Sequence, residues 1–266
     1  ELSKNNLDDI DIKINCLLKF VFKLDSNQII LRLSESVSKE SKMQFEKYIN
    51  ELIKGVPLQY ITNNQEFMGM NFYVDENVLI PRPDTEILVE EVIKESKIKQ
   101  KKLQILDMCT GSGAIAISLA KYIENCTVIA VDISESALKI ARKNAKINKV
   151  SEKIEFIKSN MFEKIKDRKF DILVSNPPYI ETNVIENLNK DVKNEPIIAL
   201  DGGRDGLEFY REIANNVKNV LNENGILFLE IGYNQKNTVK DILKKCNMFK
   251  TIECKKDYSN NDRVII

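Results

Sequence analysis

The chain predicts an α/β fold: a doubly wound, mainly parallel sheet with a small all-α unit ahead of it. Three observations carry this. From residue 100 onward short apolar runs alternate with amphipathic helical stretches, the pattern of a parallel sheet covered on both faces. The first 60 residues show only the three-to-four periodicity of helices. The first apolar run of the alternating part ends in a glycine-containing turn that opens a helix, as strand–turn–helix units of such sheets do.

At the N-terminal end Leu7, Ile10, Ile14, Leu17, Leu18 and Val21 form one stripe, and Phe45, Tyr48, Ile49, Leu52 and Ile53 form another. Both read as the core of a small bundle with no chemistry of its own. Gly55 followed by Pro57 stops the second helix. Phe67, Phe72, Val74, Val78, Leu79 and Ile80, with Gly69 and Asn71 between them, predict a short hairpin or an extended linker. Pro81-Arg82-Pro83-Asp84-Thr85-Glu86 then opens a helix carrying Ile87, Leu88, Val92 and Ile93; prolines at the start and acids in the first turn suit a helix N-terminus. The organisation expected is a helical bundle over 1–64, a hairpin or linker over 65–80, and the sheet domain over 81–266. Within the last, strands are expected at 103–107, 127–132, 154–157, 170–175, 225–231 and 262–266. A helix over 134–148 presents Ala137, Leu138, Ala141 and Ala145 on one face.

Composition excludes several classes of function. Lys+Arg and Asp+Glu both number 40, so no net positive charge drives sequence-blind binding to nucleic acid. There is no histidine, which removes His-based acid/base catalysis, His-containing triads and His-ligated metals. Cys16, Cys109, Cys126, Cys246 and Cys254 are odd in number and lack metal-ligand spacing, so they read as reduced thiols and no metal site is expected. No apolar run approaches membrane-spanning length, and the expected location is the cytoplasm, without membrane association.

The run Leu103-Gln104-Ile105-Leu106-Asp107 leads through Met108, Cys109, Thr110, Gly111, Ser112 and Gly113 into a helix. Glycines at 111 and 113 let a ligand approach the backbone, and the helix start offers free N–H groups. Asp132 ends the next strand, 19 residues past Gly113, where an acid can accept both hydroxyls of a ribose. NAD, FAD and S-adenosyl-L-methionine all fit this geometry. Two features favour the last. The turn lacks the third glycine that a pyrophosphate usually requires, and the apolar run 170–175 ends in Asn176-Pro177-Pro178-Tyr179. Two prolines fix φ and remove two backbone donors, so this turn is stiff and presents carbonyls. Asn176 adds an acceptor and Tyr179 a flat face. Such a turn can hold a planar –NH₂ group while a methyl group is delivered to it. In a doubly wound sheet the fourth strand lies beside the first, so the two turns are expected to converge.

With these pieces placed, the chain resembles the HemK/PrmC family of protein-(glutamine-N5) methyltransferases that modify peptide chain release factors. The resemblance runs from about Pro57 to the C-terminus. It rests on Pro57-Leu58-Gln59-Tyr60-Ile61, Glu66-Phe67-Met68-Gly69, Leu79 through Glu86, the glycine turn, Val131-Asp132-Ile133-Ser134 and Ser175 through Ile180. It continues through Glu195-Pro196, Gly202-Gly203-Arg204-Asp205-Gly206-Leu207 and Glu230-Ile231-Gly232. It implies a Rossmann-like, seven-stranded S-adenosyl-L-methionine-dependent methyltransferase domain behind a small helical domain that helps grip the release factor. The reaction implied is methylation of the side-chain amide nitrogen of a glutamine, that of a Gly-Gly-Gln motif in a class I release factor, by a monomer with no direct contact to nucleic acid and with S-adenosyl-L-homocysteine as product. Cys109 stands where the family usually has glycine and is expected to narrow the adenosyl approach slightly. Asn160-Met161-Phe162 fills the end of the third strand, so Met161 is expected to cover the adenine face and Asn160 to bond the adenine amino group. Asn176 Oδ1 and the Pro177 carbonyl are expected to accept the two amide hydrogens while Tyr179 stacks on the amide plane. Asn-Pro-Pro-Tyr by itself also admits an adenine-N6 nucleic-acid methyltransferase, which would flip its base into the same turn. A non-catalytic adenosine-binding module would explain Gly111, Gly113 and Asp132 and leave that turn without a purpose.

Overall fold

The computed structural model describes residues 10–32, 34–98 and 101–266. Its first part is helical, with α1 (Ile10–Phe22), α2 (Ser26–Leu31), α3 (Lys39–Ile53) and α4 (Leu58–Thr62). Ile10, Ile14, Phe45, Tyr48, Ile49 and Ile53 pack around Leu17, Leu52 and Ile61; Leu7 of the same stripe lies outside the described residues. Leu18 and Val21 are half-buried. Asp25 caps α2 reciprocally with Gln28, at 2.8 and 2.9 Å, satisfying two otherwise unpaired donors. Gly55, at φ +91°, ends the α3 segment, and Pro57 sits at the N-cap of α4.

The next stretch is a hairpin, β1 (Gln65–Phe67) and β2 (Met70–Phe72). Met68 and Gly69 at its tip both have positive φ, 50° and 67°, which matches the twist of two-residue hairpins. The hairpin is fastened to the main sheet. Phe67, Met70 and Phe72 belong to one of the two cores of that sheet. The N–H of Tyr73 donates to Asn144 Oδ1 at 2.7 Å, and Asn144 Nδ2 returns a bond to the Tyr73 carbonyl at 3.0 Å. Val74, Val78 and Ile80 form a small cluster with Tyr60, Ala137 and Ile140, so residues 73–80 bridge the helices to the sheet body.

That body runs α5 (Pro83–Ser96), β3 (Leu103–Met108), α6 (Ala114–Tyr122), β4 (Cys126–Asp132), α7 (Glu135–Ile147), β5 (Ile154–Lys158) and β6 (Phe170–Ser175). It continues with α8 (Thr182–Ile185), α9 (Lys190–Lys193), α10 (Glu208–Val220), β7 (Leu221–Glu230), α11 (Lys236–Lys245), β8 (Cys254–Lys256) and β9 (Asp262–Ile265). The seven-stranded sheet has the order β5-β4-β3-β6-β7-β9-β8. β3 through β7 are parallel, and β9 is antiparallel to both its neighbours. The expected α/β class and strand alternation hold. β8 escapes the sequence because an edge strand of Cys254-Lys255-Lys256 has no apolar run, and lysines suit an exposed edge. β7 starts earlier than expected, at Leu221: its pairing with β6 slips between Phe170 and Ile172, and Asn224 takes φ +60°. From β3 the chain winds one way to β4 and β5, then returns to lay β6 on the other side of β3. That reversal opens a crevice at the carboxyl ends of β3 and β6, where doubly wound sheets take their ligands.

Candidate active site

Met108 pairs with Ser175 at the ends of β3 and β6, and Ser175 Oγ donates to the Met108 carbonyl at 2.7 Å. The two turns singled out by the sequence therefore leave the sheet side by side. In the first, Cys109, Gly111 and Gly113 all have positive φ, 63°, 55° and 82°. A Cβ on Gly113 would meet Ile117 Cδ1 at 2.9 Å and Ala141 Cβ at 3.0 Å, so this glycine lets α6 sit against α7. A Cβ on Gly111 would meet nothing within 4 Å; there the backbone faces open space.

Behind the turn lies Asp107, which is fully buried. Its Oδ2 accepts from Thr110 Oγ1 at 2.5 Å and from the Ala116 N–H at 3.1 Å, stitching the turn to the start of α6. Its Oδ1 has no hydrogen-bond partner among the described residues, and burial pushes the carboxyl up to about 7. Thr110 and Ser112 are buried, and the Ser112 carbonyl accepts from Asn144 Nδ2 at 2.9 Å. Of the five residues Cys109 to Gly113, only Cys109 and Gly111 line the cavity at the crevice; Thr110, Ser112 and Gly113 shape it from behind.

Asp132 also lines that cavity. Its Oδ2 accepts from the Gly111 N–H at 2.8 Å and its Oδ1 from the Ser134 N–H at 2.9 Å. Burial raises its pKa, with those backbone bonds opposing. A carboxylate offers about four lone-pair sites, so Asp132 keeps capacity for a further donor. Met161, buried and at φ +43°, brings its sulfur to 3.9 Å from that of Cys109. Asn160 is exposed and donates to Glu163 Oε1 at 3.3 Å. Both line the same cavity, as do Asn176 and Pro178.

The second turn is braced from several directions. Asn176 Nδ2 donates to Thr85 Oγ1 at 3.2 Å. Pro177 and Pro178 are buried, and Tyr179 is half-buried with its hydroxyl 3.5 Å from Glu230 Oε1. Neither Pro177 nor Tyr179 is among the cavity-lining residues. The Tyr179 carbonyl accepts from Gln235 Nε2 at 2.9 Å. Gly202 and Gly206 press against its outer side: a Cβ on the first would sit 2.7 Å from Tyr179 Cα, and on the second 2.4 Å from the Tyr179 oxygen. Burial pushes the Glu230 carboxyl up to about 7 and raises the Tyr179 phenol.

The segment after the turn carries α8 and α9 and returns as Pro196, Ile198 and Ala199 to the cavity wall. Glu195, buried, accepts from the Ile80 N–H at 2.9 Å and from Arg82. Asn194 Nδ2 reaches the Gly55 carbonyl at 2.9 Å. This segment is thus tied to the helical unit and to the start of α5. Nothing in the local sequence marks Thr85, Asp107, Glu230 or Gln235 as site residues, save that an acid ending a buried strand is a usable signal: Glu230 ends β7 as Asp132 ends β4.

Both parts of the chain match known family models. Residues 83–197 match the family model described as the methyltransferase small domain, and residues 1–62 match the PrmC N-terminal domain. A release factor glutamine methyltransferase of Clostridium acetobutylicum is 43% identical, over 94% of this chain and 88% of that protein. One of Clostridium botulinum is 41% identical, over 99% and 94%. A methyltransferase structure from Pyrococcus furiosus superposes with a TM-score of 0.54 at 18% identity, covering 85% of this chain and 96% of its own, a likeness of fold. Among the described residues no helix is long and apolar enough to cross a membrane, and no group of side chains could hold a metal ion.

Proposed function

The chain belongs to the release factor glutamine methyltransferases, and from that premise we propose that it transfers a methyl group from S-adenosyl-L-methionine to the side-chain amide nitrogen of a glutamine in a class I peptide chain release factor. One observation carries the reading: a single cavity is lined both by the strand-end acid Asp132 and by Asn176 of the proline turn.

The residues present suit the cofactor. The backbone at Gly111 leaves open space on its free side, Asp132 places its carboxylate on the cavity to accept from the ribose hydroxyls, and Met161 offers an apolar wall for the adenine. Asn160 carries an amide for the adenine amino group. When bound, the cofactor supplies a methyl group already activated by a sulfonium. What is left to the protein is alignment. A glutamine amide nitrogen is a poor nucleophile because its lone pair is delocalised into the carbonyl. Asn176 Oδ1 and the Pro177 carbonyl accept its two hydrogens, which fixes the nitrogen for in-line attack and favours the charge that develops on it. Pro178 keeps the turn stiff, and Tyr179 stacks its ring on the amide plane. The proton departs to water after transfer; no histidine is present to take it.

Residues 1–64 supply surface for docking the release factor and no chemistry, and the enzyme works as a cytoplasmic monomer. The test is transfer of tritium from labelled S-adenosyl-L-methionine to release factor, to DNA, or to neither. Label in release factor, lost when its glutamine is replaced by alanine, is the expected result. Label in DNA would replace this reading with adenine-N6 methylation.

A further inference from the structure

Beneath the proline turn lies a polar cluster that the reaction as described leaves unused. Thr85 and Glu230 are both buried, and they come from the start of α5 and the end of β7. The Asn176 amide nitrogen is 3.2 Å from Thr85 Oγ1. The hydroxyls of Thr85 and Tyr179 both favour the ionised form of the Glu230 carboxyl, and that of Tyr179 stands 3.5 Å from Oε1. Oε2 has no hydrogen-bond partner among the described residues. The other groups facing this carboxyl do not bond it. Arg263 is held by Asp257 at 3.0 Å and by Asp84 at 3.1 Å, and the Tyr210 hydroxyl donates to the Glu230 backbone carbonyl at 2.9 Å.

We propose that Glu230 is a positioning residue: through Thr85 it fixes which way round the Asn176 amide sits, so that Oδ1 faces the substrate nitrogen. This rests on the reading of Asn176 as an amide-hydrogen acceptor. The two ends of an asparagine amide are nearly the same shape, so their order is set by the partners' donors and acceptors. A carboxylate can only accept. With Glu230 ionised, the Thr85 hydrogen turns to it and leaves the Thr85 lone pairs facing Asn176. Only the –NH₂ end of the amide can satisfy them, and Oδ1 is left for the cavity. If Glu230 takes up a proton the chain can run the other way: Glu230 donates to Thr85, Thr85 donates to Oδ1, and the amide presents –NH₂ to a substrate that also brings –NH₂. Two donors then face each other and the grip is lost.

The test is a double-mutant cycle on the full chain, with S-adenosyl-L-methionine and release factor. Thr85→Val, which keeps the shape and loses the hydroxyl, should lower kcat about tenfold, the scale of one net hydrogen bond, with the cofactor Kd within about twofold of wild type. Thr85→Ser should restore most of the rate. In an Asn176→Ala background Thr85→Val should cost nothing further, because the residue it orients is gone. Independently, kcat of the wild type should fall as pH drops through about 7, where Glu230 takes up its proton, and Glu230→Gln, which does not titrate, should lack that fall. Wild-type kcat in Thr85→Val beside a slow Asn176→Ala would overturn the relay while leaving the amide-holding turn standing. Full additivity of the two substitutions, or an unaltered pH profile in Glu230→Gln, would overturn it as well. A full-speed Asn176→Ala would remove the reading on which it rests.

Discussion

The turn after β3 and the turn after β6 stand side by side, yet they are braced from different distances along the chain. Thr110 and Ala116 reach back to Asp107 across 3 and 9 positions, and Gly111 reaches Asp132 across 21. Asn176 is held by Thr85 across 91 positions, and Tyr179 by Glu230 across 51 and by Gln235 across 56. The two carboxylates that brace the first turn both come from one strand–helix–strand unit, β3–α6–β4. The second turn exists only when α5, β6, β7 and the loop carrying Gly202 and Gly206 have all come together. A cofactor common to many enzymes needs a cradle that the local chain can make. In the proposed reaction the substrate amide would be held by a turn whose shape several remote segments decide at once.

Asn176→Ala is the sharpest way to break the second turn alone. It should lower kcat on release factor by roughly 10²–10³, the scale for losing one preorganised transition-state hydrogen bond, and should change cofactor affinity far less. Steady-state kinetics beside calorimetric titration of S-adenosyl-L-methionine would show the split; equal losses in both would merge the two regions into one.

Asp132→Ala attacks the first turn. Cofactor affinity should weaken by roughly 10–100-fold, for lost hydrogen bonds to a charged acceptor. The sequence by itself suggests an acid at a strand end that could be removed without harm to the fold. The structure changes that expectation, because Gly111 and Ser134 both donate backbone N–H groups to this carboxylate. Their loss should lower the unfolding free energy of the ligand-free protein by about 1–3 kcal/mol, measured by denaturant titration.

Gly206→Ala tests whether the second turn depends on its remote wall. The added Cβ would fall 2.4 Å from the Tyr179 oxygen at a backbone φ of +68°, so the turn must shift. A fall of roughly tenfold in kcat with cofactor affinity unchanged is expected, on the scale of 1–3 kcal/mol for such overpacking. Unchanged kcat would show that the loop merely covers the turn.

Asp107 and Glu230 provide one buried carboxyl beneath each turn. Both are raised by burial to about 7 from ordinary values of 3.8 and 4.5. Between those limits the native state holds more protons than the unfolded chain, so stability falls as pH rises from 5 to 8. Glu230→Gln should lessen that fall by on the order of 1–3 kcal/mol, read from urea denaturation at the two pH values. A steeper fall in the variant would contradict the burial argument.

The smallest effect belongs to Cys109. A non-glycine residue at φ +63° carries a strain of order 1 kcal/mol, partly offset here by contact with Met161. Cys109→Gly should therefore leave the thermal midpoint within a few degrees of wild type. Cys109→Val, β-branched in the same conformation, should lower it by more.

Much of this protein was decided locally and could be read from one chain. The alternation of apolar runs and amphipathic helices, the glycine turn, Asp132 at a strand end and the stiff Asn176–Tyr179 tetrapeptide are properties of short windows, where periodicity, φ preference and missing donors act without regard to distant residues. Those windows were enough for the α/β class and for both turns. The tertiary structure alone decided three other things. It set the register of β6 on β3 that joins Met108 to Ser175, it tied the hairpin to the sheet through Asn144, and it gathered Thr85, Tyr179 and Glu230 beneath Asn176. The reason is physical. A buried carboxyl or hydroxyl has no preference of its own for one remote partner over another, and its bonds are chosen only when packing has excluded water and left a single set of donors and acceptors within reach.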